Sequence, residues 1–359
     1  SVLSQIRTDE TGRPTGFRTP FYQVEFAGNG EFDRIVDLEE ERSLLQNGRR
    51  GNQIRVFEDR PLEFDAWNIE EYYREKSWSF DDVQAFEILE NGPVRGCVYL
   101  KRQFMESTLE QYIYFYAHTK RIDFKTILDW RQHQLLVKAE FPVDILANEA
   151  TYEIQFGNVK RPTHKNTTWD QARFEVCAHK WADLSEAGYG VALLNDCRYG
   201  YDIHDSVMGL TLLKSGIFPN PDADQGVHEF TYSLYPHQGD FRTGSVIREA
   251  YDLNCPLYGM TEQTGQKKTY SFLTIGEENV LAETVKQAED GQGIIVRLYE
   301  AWGKRTRVHA AFDEPWKIEE CDLAEKAGRI LAENEKTAVF EIKPYEIKTL
   351  RLSRSKKGE

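Results

Sequence analysis

Two stretches of this chain crowd acids, bases and aromatic rings closely enough to do chemistry. The first runs from Glu58-Asp59-Arg60-Pro61 to Asp65-Ala66-Trp67-Asn68, and the second is Phe174 to Asp202, FEVCAHKWADLSEAGYGVALLNDCRYGYD. Trp and Tyr faces beside carboxylate, amide and Arg groups suit a sugar, which offers an apolar face to stack on and fixed hydroxyls to bond. The same ingredients build the corners of β-sandwiches and the seams between domains, and composition alone favours that plainer use. Asp59, Asp65, Asp183, Asp196, Asp202, Asp222, Asp224 and Glu229 all lie in such polar-aromatic surroundings. Acid/base work on a glycosidic bond depends on a carboxylate separation of roughly 5 to 10 Å. Sequence spacing does not give that distance.

Other chemistries have no foothold. There is no Gly-x-Ser-x-Gly elbow, no His-Glu-x-x-His and no phosphate-cradling glycine loop after a strand. The eight histidines are scattered, none at metal-ligand spacing from another. Cys177-Ala178-His179 puts two donors on one side of a strand, short of the three or four that zinc takes. A buried thiol beside a hydrogen-bonded imidazole is the plainer reading. The expectation is no catalytic residue and no metal site in this chain.

The elements that must position these stretches are strands. Phe21 to Phe26 alternates apolar and polar residues, Asn29-Gly30 is a hairpin signal, and Phe32 to Val36 resumes the alternation. Val94–Phe104, Leu109–Tyr116, Ile122–Trp130, Gln134–Phe141 and Ala150–Phe156 follow the same pattern. Helical periodicity is confined to two short candidates, Asn68–Lys76 and Glu278–Gln287. Strands in succession without helices imply an all-β, antiparallel architecture. Residues 1–258 read as one large two-sheet sandwich, 259–269 as a polar linker, and 270–359 as a smaller β-sandwich. The strands expected in that last part are Tyr270–Ile275, Gly293–Glu300, Thr306–Ala311, Trp316–Asp322 and Thr337–Leu352.

A formal net charge of −14 repels phosphate backbones, so nucleic acid is not an expected partner. The basic cluster Arg351, Arg354, Lys356 and Lys357 reads as a solvated tail. The five cysteines are odd in number and widely spaced, which predicts free, mostly buried thiols in a reducing compartment, the cytoplasm. No apolar run approaches the ~20 residues of a membrane span, and Asn166-Thr167-Thr168 carries little weight as a glycosylation sequon.

The motifs themselves resemble a known family. NQIRVFEDRPLEFDAWNIEEYY (Asn52 to Tyr73), LDWRQHQLLVKAEFPVDI (Leu128 to Ile145), the run from Ala150 to Asp202 and PDADQGVHEFTYSLYPHQGDF (Pro221 to Phe241) are similar, in order, to the C-terminal region of glycoside hydrolase family 38 α-mannosidases of the cytosolic and vacuolar type. The resemblance covers most of residues 20 to 258 and implies a galactose-mutarotase-like super-sandwich followed by the small sandwich that ends such enzymes. It implies a retaining exo-α-mannosidase acting on mannose-containing oligosaccharides, with zinc and nucleophile in a separate N-terminal barrel and helical bundle. Those motifs are absent here. The expectation is therefore an inactive C-terminal fragment whose partners are its own catalytic barrel and bundle, the oligosaccharide, and a second copy if the enzyme oligomerises. Ser1 is not expected to be the native start.

The resemblance also places this region at the active-site rim. Asp65 and Trp67 in the FDAW turn are the first candidates for sugar contact. Asn195, Asp196, Arg198, Tyr199 and Asp202 in the NDCRYGYD turn are the second, while His179, Lys180, Trp181 and Asp183 read as a structural corner. Two other functions fit the same ingredients: a stand-alone carbohydrate-binding module, and a mutarotase-type epimerase needing a His/Glu pair on the concave face. An upstream coding sequence in frame, carrying the zinc motifs, separates the first of these from the enzyme part.

Overall fold

The computed structural model describes residues 5–261 and 269–354. Most of the expected linker and both Lys356 and Lys357 therefore lie outside the described residues. Among the described residues one compact unit holds those up to Glu153 and from Val159 to Leu257. A second holds Ile154–Asn158 and those from Tyr258 onward.

Strands make up most of the first unit, and their pairings among the described residues are antiparallel. A five-stranded meander, Gln5–Thr8, Pro14–Arg18, Tyr22–Phe26, Phe32–Asp37 and Arg42–Ser43, opens the chain. A nine-stranded sheet follows in the order Gly157–Pro162, Glu149–Ile154, Trp181–Glu186, Tyr189–Asn195, Gly226–Gln238, Ile122–Trp130, Ser107–Tyr116, Arg95–Phe104, Asp82–Asn91. Facing it are six strands ordered Val176–Cys177, Gly200–His204, Val207–Ser215, Leu135–Pro142, Gln53–Glu58, Ser77–Ser79. The expected two-sheet sandwich is thus present with a third, N-terminal sheet added to it.

One core joins all three sheets. Phe124 of the nine-stranded sheet stacks on Tyr232 at 4.8 Å, packs 5.7 Å from Phe141 of the six-stranded sheet and 5.6 Å from Phe32 of the meander. Such ring pairs contribute about 0.5–1.5 kcal/mol beyond area burial. A polar triad sits inside this core with its bonds closed on itself: Asn52 Nδ2 donates to Gln111 Oε1 at 3.1 Å, and Gln111 Nε2 to the Tyr232 hydroxyl at 2.6 Å. The Tyr232 hydroxyl donates in turn to Asn52 Oδ1 at 2.5 Å.

The second unit is one six-stranded arrangement, ordered Leu273–Ile275, Thr306–Cys321, Ile347–Ser353, Ile294–Glu300, Val280–Gln287, with Ala327–Ile342 also paired to Thr306–Cys321. The helix expected at Glu278–Gln287 is instead the strand Val280–Gln287. A bulge between Ala282 and Thr284 breaks its two-residue alternation and mimics a helical period. The two strands expected on either side of Pro315 are one 16-residue strand, Thr306–Cys321. Thr337–Leu352, expected as one, is split at Lys343–Glu346 by the turn holding Pro344. Of Asn68–Lys76 only Glu71–Glu75 is helical, as a 3-10 turn.

Candidate functional site

Ser107–Tyr116 alternates buried and half-buried residues, the signature of a strand with one wet face, but Leu135–Pro142 is buried at all eight positions. Its second face is therefore covered. Val137, Ala139 and Phe141 enter the main core, and the two-residue period sends Leu136, Lys138 and Glu140 to the opposite face. The cover is the segment 59–76. It carries Tyr73 onto Phe57 at 5.3 Å and closes a small apolar cluster with Leu136, Ile69 and Phe174.

Charge fills the rest of this face. The fully buried Lys138 Nζ lies 2.5 Å from Glu175 Oε2 and 3.3 Å from Asp202 Oδ1. Asp202 takes Arg74 and the Tyr73 hydroxyl (3.2 Å) on its other oxygen, and Arg74 reaches on to Glu140 Oε1 at 3.2 Å. The Arg74 guanidinium lies over the Tyr73 and Phe57 rings at 5.1 and 5.5 Å. Nearby, Lys214 pairs with Asp59, which senses both Asp65 and Glu175.

Burial opposes ionisation in this cluster, and the partners decide the outcome. For Asp202 burial pushes the carboxyl up, but Lys138 and Arg74 together hold it below the usual range. For Lys138 burial pulls the ammonium down, and Asp202 and Glu175 more than offset it. Asp59 goes the other way: its desolvation outweighs Lys214 and raises it. Lys138, Arg74 and Asp202 are thereby fixed in their charged forms near neutral pH. They clamp and orient rather than pass protons.

The seven rim candidates separate into anchors and exposed groups. Phe64 at φ +61° makes a tight turn, closed by Trp67 N–H and Asn68 N–H on the Phe64 carbonyl at 2.8 and 2.9 Å. The turn points Asp65 inward, where Oδ2 accepts the Ile217 N–H at 3.1 Å, and leaves Trp67 66% exposed, edge-to-face with Phe64 at 6.2 Å. Asn195 is fully buried: its amide donates to the His179 carbonyl (2.7 Å) and the Tyr201 hydroxyl (2.6 Å), and its oxygen accepts Arg198 N–H (2.6 Å). Asp196 Oδ2 accepts Thr231 N–H at 2.9 Å, and the Arg198 guanidinium stacks over Phe230 at 4.3 Å. Tyr199 is half-exposed against His179 at 5.3 Å. Asp65, Asn195 and Asp202 are thus spent inside the protein, while Trp67 and Tyr199 present faces to solvent. Asp202 also brings the two stretches together, through Tyr73 and Arg74 just beyond the FDAW turn.

The corner residues behave as a corner. Trp181 is buried on Phe241 at 5.1 Å, and Lys180 Nζ pairs with Glu153 at 3.2 Å. His237 Nε2 lies 2.7 Å from Asp183 Oδ1, and both are closed to solvent, so this His–carboxylate pair is out of a substrate's reach. No group of three or more His, Cys, Asp or Glu among the described residues is placed to hold a metal. All five cysteines are free, but only Cys97 is buried, while Cys177, Cys197 and Cys255 are exposed. The expectation of mostly buried thiols is corrected: these three flank turns and a helix end rather than core positions. Lys138, Glu175, Arg74, Tyr73 and Lys214 were not singled out from the sequence. One signal was there, the lone Lys138 inside LLVKAEFP, since a lysine in an apolar run must find a partner.

Comparisons with known proteins complete the picture. A family model described as "Glycosyl hydrolases family 38 C-terminal domain" matches residues 17–222, and one described as "Glycosyl hydrolases family 38 C-terminal beta sandwich domain" matches 279–350. Alpha-mannosidase G of Dictyostelium discoideum is 37% identical over 347 residues, covering 92% of this chain and 32% of that protein. Alpha-mannosidase 2C1 of Homo sapiens is 36% identical over 343 residues, covering 92% of this chain and 33% of that protein. This chain therefore spans about a third of the length of these curated relatives. Among solved structures, an alpha-mannosidase from Enterococcus faecalis V583 superposes with a TM-score of 0.77 over 98% of this chain and 43% of that one; at 16% identity the likeness is one of fold.

Proposed function

This chain belongs to glycosyl hydrolase family 38, of which it is the C-terminal region, and from that premise we propose that it is the β-sheet part of a retaining exo-α-mannosidase acting on mannose-containing oligosaccharides. The carrying observation is that both C-terminal family models match in order, with relatives named as α-mannosidases aligned over 92% of the chain. In this reading the sandwich holds and borders the catalytic region without supplying the reacting groups. The locked charges of the Lys138 cluster support that division, because a general acid must be free to give up its proton.

Zinc belongs to the preceding region of the parent enzyme. The described residues offer no donor set that fits it. The compartment is the cytoplasm, in keeping with five unpaired thiols. Of the seven rim candidates, Trp67 and Tyr199 are left free to face a saccharide or the catalytic part.

The test is hydrolysis of a chromogenic α-mannoside by the 359-residue chain, with and without added zinc, beside the full-length gene product. The expected result is turnover by the full-length protein alone. Zinc-dependent turnover by the chain that survives repurification overturns the assignment.

A further inference from the structure

The FDAW turn does not stand alone on the surface. Asp65 ties it to the loop after Val207–Ser215: its carboxylate accepts the Ile217 N–H, and Gly216 lies so close that a Cβ there would sit 3.0 Å from the Asp65 Cβ. The tips of these two joined loops are apolar. Leu62 is 83% exposed and Phe218 58%, with Phe64, Trp67 and Ile217 also open to solvent. Together they expose on the order of 500 Å² of apolar surface, at the upper end of the largest patch a monomer normally shows.

We infer that this patch is the seat of the catalytic region that precedes the chain in the intact enzyme, an inference that rests on the family reading above. The occupant is indicated by what is missing. The matched families are C-terminal by description, and the aligned relatives carry this region as only 32–33% of their length. About two thirds of such a protein therefore lies outside this chain and is available to cover the patch. The patch has the composition of an interface centre, aromatic and aliphatic, with the exposed charges of Arg60 and Glu63 beside it in sequence. It is also pre-ordered: Asn68 Nδ2 donates to the Glu63 carbonyl at 3.0 Å, in addition to the two backbone bonds on Phe64, so little loop entropy is lost on docking. A saccharide platform would need hydrogen-bonding groups beside the rings, and the carboxylate best placed for that, Asp65, is turned inward.

The experiment compares hydrogen exchange in the 359-residue chain and in the full-length gene product. The amides of 62–68 and 216–218 exchange about tenfold or more slowly in the full-length protein if the patch is covered there. In parallel, Leu62→Asp leaves the melting temperature of the chain unchanged, because Leu62 touches little, and lowers that of the full-length protein. Equal exchange in the two proteins overturns the inference. So does protection that grows with concentration of the chain alone, which makes a second copy the occupant, or protection that appears only on adding mannose. Turnover of the chromogenic α-mannoside is read separately: its absence sinks the activity assignment, while the exchange comparison still decides the docking face.

Discussion

Replacing Lys138 by methionine tests whether the charged cluster under segment 59–76 holds that segment in place. The ammonium is fully buried, and it is the cation paired with Glu175, whereas Asp202 keeps Arg74 as a second partner. Methionine fills similar volume, so the loss is electrostatic. A largely buried Glu175 without its counter-charge, plus a half-compensated Asp202, corresponds to the roughly 3–5 kcal/mol typical of breaking a buried ion pair from one side. With a urea slope near 3 kcal/mol per molar, the unfolding midpoint of the larger unit falls by about 1–1.7 M. Adding Glu175→Gln to Lys138→Met removes the orphaned charge, and the midpoint moves back by at least a third of that loss. A midpoint within ~0.3 M of the parent for the single variant, or a double variant no more stable than the single, would refute the account.

Acid titration reads the same cluster from the other partner. Asp202 has its folded value below its ordinary one, so its contribution is fully present above about pH 4 and is lost as pH falls through the lower folded value; Asp202→Asn should flatten that part of the stability curve, and an unchanged curve counts against it. Gly190→Ala places a Cβ 2.2 Å from Ser185 Oγ and 2.5 Å from His237 Cε1; the expected destabilisation is about 1–3 kcal/mol in thermal melts, and a neutral result means the His237 ring is not clamped as described. Asn195→Ala removes three hydrogen bonds made by a fully buried side chain and should cost roughly 2–4 kcal/mol. Trp67→Ala, by contrast, should change the stability of this chain by less than ~0.5 kcal/mol in the same melts.

The architecture was legible in several strands with one wet face, though Asp82–Asn91 was passed over. Phe21–Phe26, Leu109–Tyr116 and Ile122–Trp130 alternate cleanly, and the structure places strands there within a residue or two. Legibility failed where a bulge shifts the period, as at Ala282–Thr284, and where proline carries opposite meanings. Pro315 sits inside a continuous strand, while Pro344 ends one. The third sheet was not foreseen because strand patterns do not state which strands share a ladder. Among the candidate site residues, the turns were visible as chemistry-rich runs but the direction of each side chain was not. Asp65 and Trp67 are two residues apart, yet the positive φ at Phe64 sends one inward and the other out. Asp202 looked like a rim carboxylate because its countercharges, Arg74 and Lys138, lie 128 and 64 positions earlier in the chain.

The ladder order of the nine-stranded sheet sets a timetable for biosynthesis. Gly226–Gln238 is inserted between Tyr189–Asn195 and Ile122–Trp130, its residues 232–238 pairing with the first and 226–234 with the second. Until the ribosome has released that late strand, the sheet exists as two separate halves, each with an open edge. The hairpins made first, from Asp82 to Trp130, must wait about a hundred residues for their central neighbour, some 5–20 seconds at ordinary elongation rates. Slowing translation between these segments should therefore increase capture by chaperones or aggregation, because open edges recruit other strands.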